Sequence, residues 1–144
     1  MRSNSDLDRK ANRFFVGVDV HVSSWHVTVQ TSESVVRQVS IGGSWAALWK
    51  LLSRWRPDEV MVLYEAGYSG FWLYDEVVAW GAACVVVPPS RIPVESGNRI
   101  KTDRRDSAKL AQLGAKGEVP GVWVPSPTQR QEREVFRERR RLVR

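Results

Sequence analysis

The chain has 144 residues, a net charge of +6 and an apolar fraction of 42%, so we expect one domain with a real hydrophobic core. A single cysteine excludes an intrachain disulfide and fits a cytoplasmic protein, and no uncharged apolar stretch reaches the ~18 residues that a membrane span needs. The basic balance favours a polyanionic partner, and nucleic acid is the commonest one.

The first part of the chain predicts three strands joined by short turns. Residues 14–22 (FFVGVDVHV) are β-branched and aromatic, and SWHVTVQT and SVVRQVSI follow after polar turns. Alternation along the first strand puts Asp19 and His21 on one face with Phe15 and Gly17, and the valines on the other. We therefore predict an antiparallel meander with a carboxylate in the middle of its first strand.

The second part alternates helices with strands. GGSWAALWKLLSRWRP predicts a helix with Ser44 as its N-cap and Pro57 as its stop. A strand ending at Glu65, a helix closed by Gly81, the strand AACVVVPP and the helix TDRRDSAKLAQLGAKG follow in that order. Strands that alternate with helices run parallel, so we predict an α/β protein with a ribonuclease H-like fold and a five-stranded mixed sheet.

The two ends of the chain differ from this central domain, for which we take residues 14–125. Residues 1–13 carry no apolar pattern and are expected to be flexible. Residues 126–144 hold seven arginines and a narrow apolar seam with a seven-residue repeat, which predicts the start of a basic coiled-coil helix. Because the seam stops without a cap, we expect the chain to be truncated there, before a further domain.

Four carboxylates are candidates for a common site. In a ribonuclease H-like sheet the first strand is central and lies beside the strand that follows the first helix, which makes Asp19 and Glu65 neighbours. Asp103 and Asp106 are three positions apart on the last helix and face the same way. A buried, unpaired carboxylate is strongly disfavoured, and a converging group needs positive charge. Mg²⁺ or Mn²⁺ fits such oxygen ligands, and a pair of ions would suit phosphodiester chemistry.

Simpler interpretations of the same residues stay open. Asp103 could cap the last helix, with Asp106 complementing its dipole, and Glu65 could pair with an arginine. His21 is more often a hydrogen-bonding structural residue than a metal ligand or base. Several cations could be surface ion-pair partners or phosphate contacts, namely Lys101, Arg104, Arg105 and Lys109, and in the tail Arg139, Arg140 and Arg141.

Three segments together resemble a known family. FVGVDVH, YEAGYSGFWLYDEV and RIKTDRRDSAKLAQL look like the signature blocks of the DEDD transposases of bacterial insertion sequences, specifically the IS one-hundred-ten family, whose N-terminal domain resembles RuvC. The resemblance covers about residues 14–125 and carries the four acidic positions over onto Asp19, Glu65, Asp103 and Asp106. Ser107 stands where the family usually has alanine.

The resemblance implies a transposase or site-specific DNA recombinase that acts in the bacterial cytoplasm at the nucleoid and uses Mg²⁺ or Mn²⁺. It further implies a structured guide RNA as a partner, assembly into a dimer or larger homo-oligomer through the C-terminal helix, and a second domain with a nucleophilic serine. The chain alone would then be the metal-binding half of the enzyme and inactive by itself.

Three alternatives stand beside this reading. The chain could be a non-catalytic RNA- or DNA-binding module, which its basic tail and many aromatic residues would suit. It could also be a RuvC-like structure-specific endonuclease. Sugar kinases and actin-like ATPases share the broad fold, but they need glycine-rich phosphate loops in two domains, and this chain has neither the loops nor the length.

Overall fold

The computed structural model of the chain describes residues 13–67, 70–88 and 103–117, with the backbone alone for residues 103–105. Of the N-terminal segment expected to be flexible, only Arg13 is described, and the basic helix expected over 126–144 lies outside these ranges. The described elements are strands β1 (Phe14–Val20), β2 (Ser24–Gln30), β3 (Val35–Gly42), β4 (Val60–Glu65) and β5 (Ala83–Val87), and helices α1 (Trp45–Leu52), α2 (Trp72–Trp80) and α3 (Asp103–Lys116).

The strands form one five-stranded sheet in the order β3-β2-β1-β4-β5. β1 pairs antiparallel with β2 and parallel with β4, while β2 pairs antiparallel with β3 and β4 pairs parallel with β5. The predicted ribonuclease H-like fold is confirmed, since the meander comes first and the central strand lies beside the strand that follows the first helix. This order brings the carboxyl ends of β1 and β4 to the same edge of the sheet.

The main core lies between the sheet and helices α1 and α2. Val16 and Val18 of β1 are fully buried there, and Leu48 of α1 and Leu73 of α2 pack in the same cluster. Apolar residues repeat every three or four positions on the helices and every two positions on the strand. Each element therefore presents one apolar face to this core. In the part of the chain that the structure describes, no helix is long and apolar enough to cross a membrane.

The opposite face of the sheet is covered by α3, which packs against β1, β2 and β4. Leu110 and Leu113 of the helix join Leu63 of β4 and Val87 of β5 in a second, smaller cluster. Alternation along β4 explains the division, because Val60, Val62 and Tyr64 belong to the main core whereas Leu63 faces α3.

Two predicted boundaries were wrong. β1 ends at Val20 rather than at residue 22, because Val20 already pairs with Trp25 and the connecting residues form the hairpin turn. α1 ends at Leu52, well before Pro57, and its last turn is closed by the Ser53 amide, which donates to the Trp49 carbonyl. Arg56, the residue before the proline, is extended with ψ 139°.

The predicted helix ends at Ser44 and Gly81 are confirmed. The Ser44 hydroxyl accepts a hydrogen bond from the Ala47 amide at 3.1 Å, as an N-cap does. Gly81 closes α2 in the left-handed conformation, with φ 105°. The single cysteine, Cys84, packs against the main core, and its burial, with a smaller effect from Asp75, raises the pKa of the thiol well above its ordinary value.

Because Gly17 has no side chain, α3 lies closer to β1 than it could if any other residue stood at this position. A Cβ atom at this position would collide with the backbone oxygen of Ser107 and would lie 2.6 Å from the Ala111 nitrogen and 3.0 Å from the Leu110 Cβ. Backbone atoms in a packed helix cannot move aside as the end of a flexible side chain can. The separation of α3 from the central strand is therefore set by the absence of a side chain at Gly17.

We predict that Gly17→Ala lowers the free energy of unfolding by about 1–3 kcal/mol, because the added methyl group forces α3 away from the sheet. Urea unfolding followed by circular dichroism measures the change. Gly42→Ala is the matched control, because a Cβ there meets only the Ala47 Cβ at 4.0 Å, and its effect should stay within about 0.5 kcal/mol. Equal effects of the two substitutions would contradict the close approach at Gly17.

Candidate functional site

Asp19 and Glu65 lie next to each other at the carboxyl edge of the sheet. The parallel register pairs Gly17 with Leu63 and Val18 with Tyr64, so Asp19 and Glu65 are the next residues along the two strands. Alternation places both on the face that α3 covers, together with Gly17 and Leu63. Asp19 is 9% exposed and Glu65 is half-buried, so two carboxylates share a site with little access to water.

Helix α3 runs antiparallel to β1, and its direction brings its first turn to the same edge. Ser107 and Ala111 lie over Gly17, whereas Gly114 lies against Phe15, two residues earlier on the strand. Moving back from Ser107 toward the start of the helix therefore leads from Gly17 toward Asp19. The four residues from 107 to 103 rise about 6 Å, and the two residues from Gly17 to Asp19 span about 7 Å.

The backbone thus places the start of α3 level with the carboxylates of the sheet. Asp106 is half-buried in this first part of the helix, and Asp103 is its first residue. The positive end of the helix dipole also points to this edge, where it favours negative charge. That effect makes a group of carboxylates less costly here than elsewhere on the sheet.

His21 supplies a further partner for the buried carboxylate. Its Nε2 lies 3.0 Å from Asp19 Oδ2 and can donate a hydrogen bond to it. The His21 side chain is 46% exposed and that of Asp19 only 11%, so the imidazole lies between the carboxylate and solvent. The Trp25 indole donates to the His21 carbonyl at 3.2 Å and holds the turn that carries this histidine. His21 has the hydrogen-bonding role that was expected for it.

The sequence analysis missed His26. In the antiparallel register of β1 and β2 it lies directly opposite Asp19, and alternation puts it on the same face. His26, Asp19 and Glu65 therefore form one row across three strands. The alternation within SWHVTVQT could have indicated the face, but the position opposite Asp19 required the pairing register, which depends on where the hairpin turn closes.

The segment after Glu65 is tied back to the core. The Tyr64 hydroxyl donates to the Gly70 carbonyl at 2.7 Å, and the Ala66 amide donates to the Val87 carbonyl at 2.8 Å. Tyr64 itself is fully buried, so this anchor restricts the backbone on both sides of Glu65. The carboxylate therefore stands at the end of a fixed strand rather than in a free loop.

The structure does not bring all the predicted residues together. Among the residues whose side chains are described, no group of three or more His, Cys, Asp or Glu side chains is placed to hold a metal ion. The side chain of Asp103, the fourth predicted ligand, is outside that description. Of the predicted nucleic-acid contacts, Lys109 lies partly buried on α3, Arg104 and Arg105 are described by their backbone alone, and Lys101, Arg139, Arg140 and Arg141 lie outside the described residues.

Comparison with curated proteins finds transposases. The chain is 35% identical over 136 residues to y4qE of Sinorhizobium fredii (strain NBRC 101917 / NGR234), which is named as a transposase, and the match covers 90% of this chain and 34% of that protein. It is 31% identical over 105 residues to the transposase for insertion sequence element IS1533 of Leptospira borgpetersenii, covering 70% of this chain and 30% of that protein. The chain thus spans about a third of the length of these relatives. No family model matches it.

Among solved structures, the chain is similar to RuvC of Thermus thermophilus, alone and in complex with a Holliday junction substrate. Both matches have 12% sequence identity, with TM-scores of 0.49 and 0.48. They cover 74% and 77% of this chain and 98% and 100% of RuvC. At this level of similarity the fold assignment rests on the strand order described above.

We predict that Tyr64→Phe lowers the free energy of unfolding by about 1 kcal/mol, because the Gly70 carbonyl loses its donor. Tyr74→Phe removes a hydroxyl from another tyrosine that packs against the main core, and it is the matched control. Urea unfolding of both variants measures the difference. If Tyr64→Phe were as stable as the parent, the Tyr64 hydroxyl would not anchor the segment after Glu65.

Proposed function

We propose that this chain, a homologue of part of the transposases of insertion sequences, is the metal-binding catalytic domain of a DNA recombinase. One observation carries the proposal: β1, β4 and the first turn of α3 bring acidic residues to a single edge of the sheet. Two of these residues, Asp19 and Glu65, lie side by side near the carboxyl ends of neighbouring parallel strands, on the face that α3 covers. Structural stability alone gives no reason to place carboxylates side by side at a largely buried position.

The donor set suits a hard divalent cation. Asp19, Glu65 and Asp106 offer only carboxylate oxygens, which Mg²⁺ and Mn²⁺ prefer over softer ligands. Together with Asp103 they are the four residues that would hold the metal. When bound, a pair of such ions would supply the activation of a nucleophile and the stabilisation of a leaving oxygen at a DNA phosphodiester.

The remaining chemistry is that of the chain's own residues. His21 holds the Asp19 carboxylate in one orientation through their hydrogen bond. The close contact at Gly17 and the Tyr64 anchor fix the two elements that carry Asp106 and Glu65. We propose that Lys109, three positions after Asp106 on α3, contacts a DNA phosphate near the acidic edge. From their positions in the sequence, Lys101, Arg104 and Arg105 are proposed to do the same.

Further parts of the proposal rest on the resemblance to the IS one-hundred-ten family. They are a structured guide RNA, assembly through residues 126–144, and action on DNA in the bacterial cytoplasm. Arg139, Arg140 and Arg141 of the same segment are proposed as nucleic-acid contacts. Complete strand exchange would need a further domain with a nucleophilic serine. The division into residues 1–13, 14–125 and 126–144 has the same status.

The alternative function is a non-catalytic nucleic-acid-binding module. It is favoured by the finding that the described side chains do not themselves form a ready metal-binding group. The net charge of +6 suits either function. The two differ in whether the carboxylates bind a divalent cation.

We predict that the 144-residue chain binds Mn²⁺ in isothermal titration calorimetry and that Asp19→Asn, Glu65→Gln and Asp106→Asn each reduce this binding below detection. Asp58→Asn is the matched control, because Asp58 precedes β4 at the opposite edge of the sheet, where it pairs with Arg56 at 2.9 Å. A parent chain that binds no Mn²⁺ but binds RNA with a strong salt dependence would support the binding module instead.

We predict that Lys109→Gln weakens binding to a short mixed-sequence DNA duplex and lowers the slope of log K against log salt concentration by about 1, as the loss of one phosphate contact does. Fluorescence anisotropy at several salt concentrations measures both quantities. Lys50→Gln is the control, because Lys50 is exposed on α1, across the sheet from α3. Equal slopes for the Lys109 variant and the parent would exclude a phosphate contact at Lys109.

A further inference from the structure

A buried pair of hydroxyl groups joins α3 to the sheet. Thr28 Oγ1 of β2 and Ser107 Oγ of α3 lie 2.8 Å apart, and the two residues are 0% and 1% exposed. The Gln38 amide of β3 donates to Thr28 Oγ1 at 3.4 Å. A polar contact therefore runs from β3 through β2 to α3, at a place where the rest of the helix makes apolar contacts.

The pair lies at the crossing point of three elements. Thr28 is the register partner of Gly17 on β1, and the Ser107 backbone is the part of α3 that touches Gly17. Ser107 also follows Asp106 directly. A displacement of α3 at this point would move Asp106 by a similar distance.

The hydroxyl pair favours a single register of α3 on the sheet, whereas the apolar contacts of the helix permit several. Leucine side chains such as Leu110 and Leu113 can repack when a helix slides or turns, and Gly17 limits only how close the helix comes. A shift of α3 by one residue rotates each side chain by about 100° and moves it about 1.5 Å. Ser107 would then leave Thr28, and both hydroxyls would lose this partner within the protein interior, which is disfavoured.

We propose that Thr28 and Ser107 are positioning residues that set the register of α3 on the sheet and thereby hold Asp106 beside Asp19 and Glu65. The effect on register stands by itself, whereas the effect on metal binding rests on the proposed function.

The experiment compares four variants of the 144-residue chain with the parent. Thr28→Val removes one hydroxyl with little change in shape, and Thr28→Ser keeps it. The double variant Thr28→Val/Ser107→Ala removes both hydroxyls, so no buried hydroxyl of the pair is left over. Thr31→Val is the matched control, because the Thr31 hydroxyl serves the β2–β3 turn and not α3.

The first measurement needs no metal. In the parent, the Gly17 α-protons lie against the Ala111 amide, so an NMR nuclear Overhauser contact between them reports the register of α3. We expect this contact to be kept in Thr28→Ser and Thr31→Val and to weaken, or to split between several states, in Thr28→Val and the double variant. A single contact of undiminished intensity in the double variant would overturn the proposal.

The second measurement is the Mn²⁺ affinity of chains shown to be folded by circular dichroism. Thr28→Val and the double variant should bind Mn²⁺ about 10–100-fold more weakly than the parent. A loss of this size is typical when a residue that orients a metal ligand is removed. If the hydroxyl pair contributed only to stability, the double variant, which leaves no buried hydroxyl of the pair, would regain the parent's stability. It would then also bind Mn²⁺ with the parent's affinity. If the parent itself bound no Mn²⁺, the proposed function would fail, while the Gly17–Ala111 contact would still decide the register.

Discussion

The structure depends on the close contact between α3 and the central strand at Gly17. Because this residue has no side chain, the backbone of α3 rests directly on β1, two residues before Asp19. The helix runs antiparallel to the strand, so its first turn reaches the edge where β1 and β4 end. Pairing of β1 with β4 makes Asp19 and Glu65 neighbours, and the contact at Gly17 brings the start of α3 to the same edge of the sheet.

That arrangement concentrates negative charge where water has little access. Asp19 is largely buried, Glu65 is the last residue of the neighbouring strand, and Asp106 belongs to the helix that covers this face. The His21 hydrogen bond and the positive end of α3 partly offset the cost of this charge. A cation would offset more of it, and for this reason we propose a metal-dependent function. The relationship to transposases supports the same interpretation.

Much of this could be predicted from the sequence, because local patterns determine local structure. The β-branched strands, the Ser44 and Gly81 helix ends and the order of elements led to the correct fold. The ends of β1 and α1 were wrong because β1 stops where the hairpin closes and α1 stops at its Ser53 cap, and periodicity reports neither. His26 opposite Asp19 and the Thr28–Ser107 pair could not be found in this way, since both depend on the register between distant segments.

The central claim is that these carboxylates form one metal site. The most direct measurement is the anomalous diffraction of crystals of this chain soaked in Mn²⁺. The account predicts a strong anomalous peak at the edge of the sheet, within coordination distance of Asp19 and Glu65 and beside the first turn of α3. Crystals that take up Mn²⁺ at other carboxylates, with no peak between β1, β4 and α3, would contradict it.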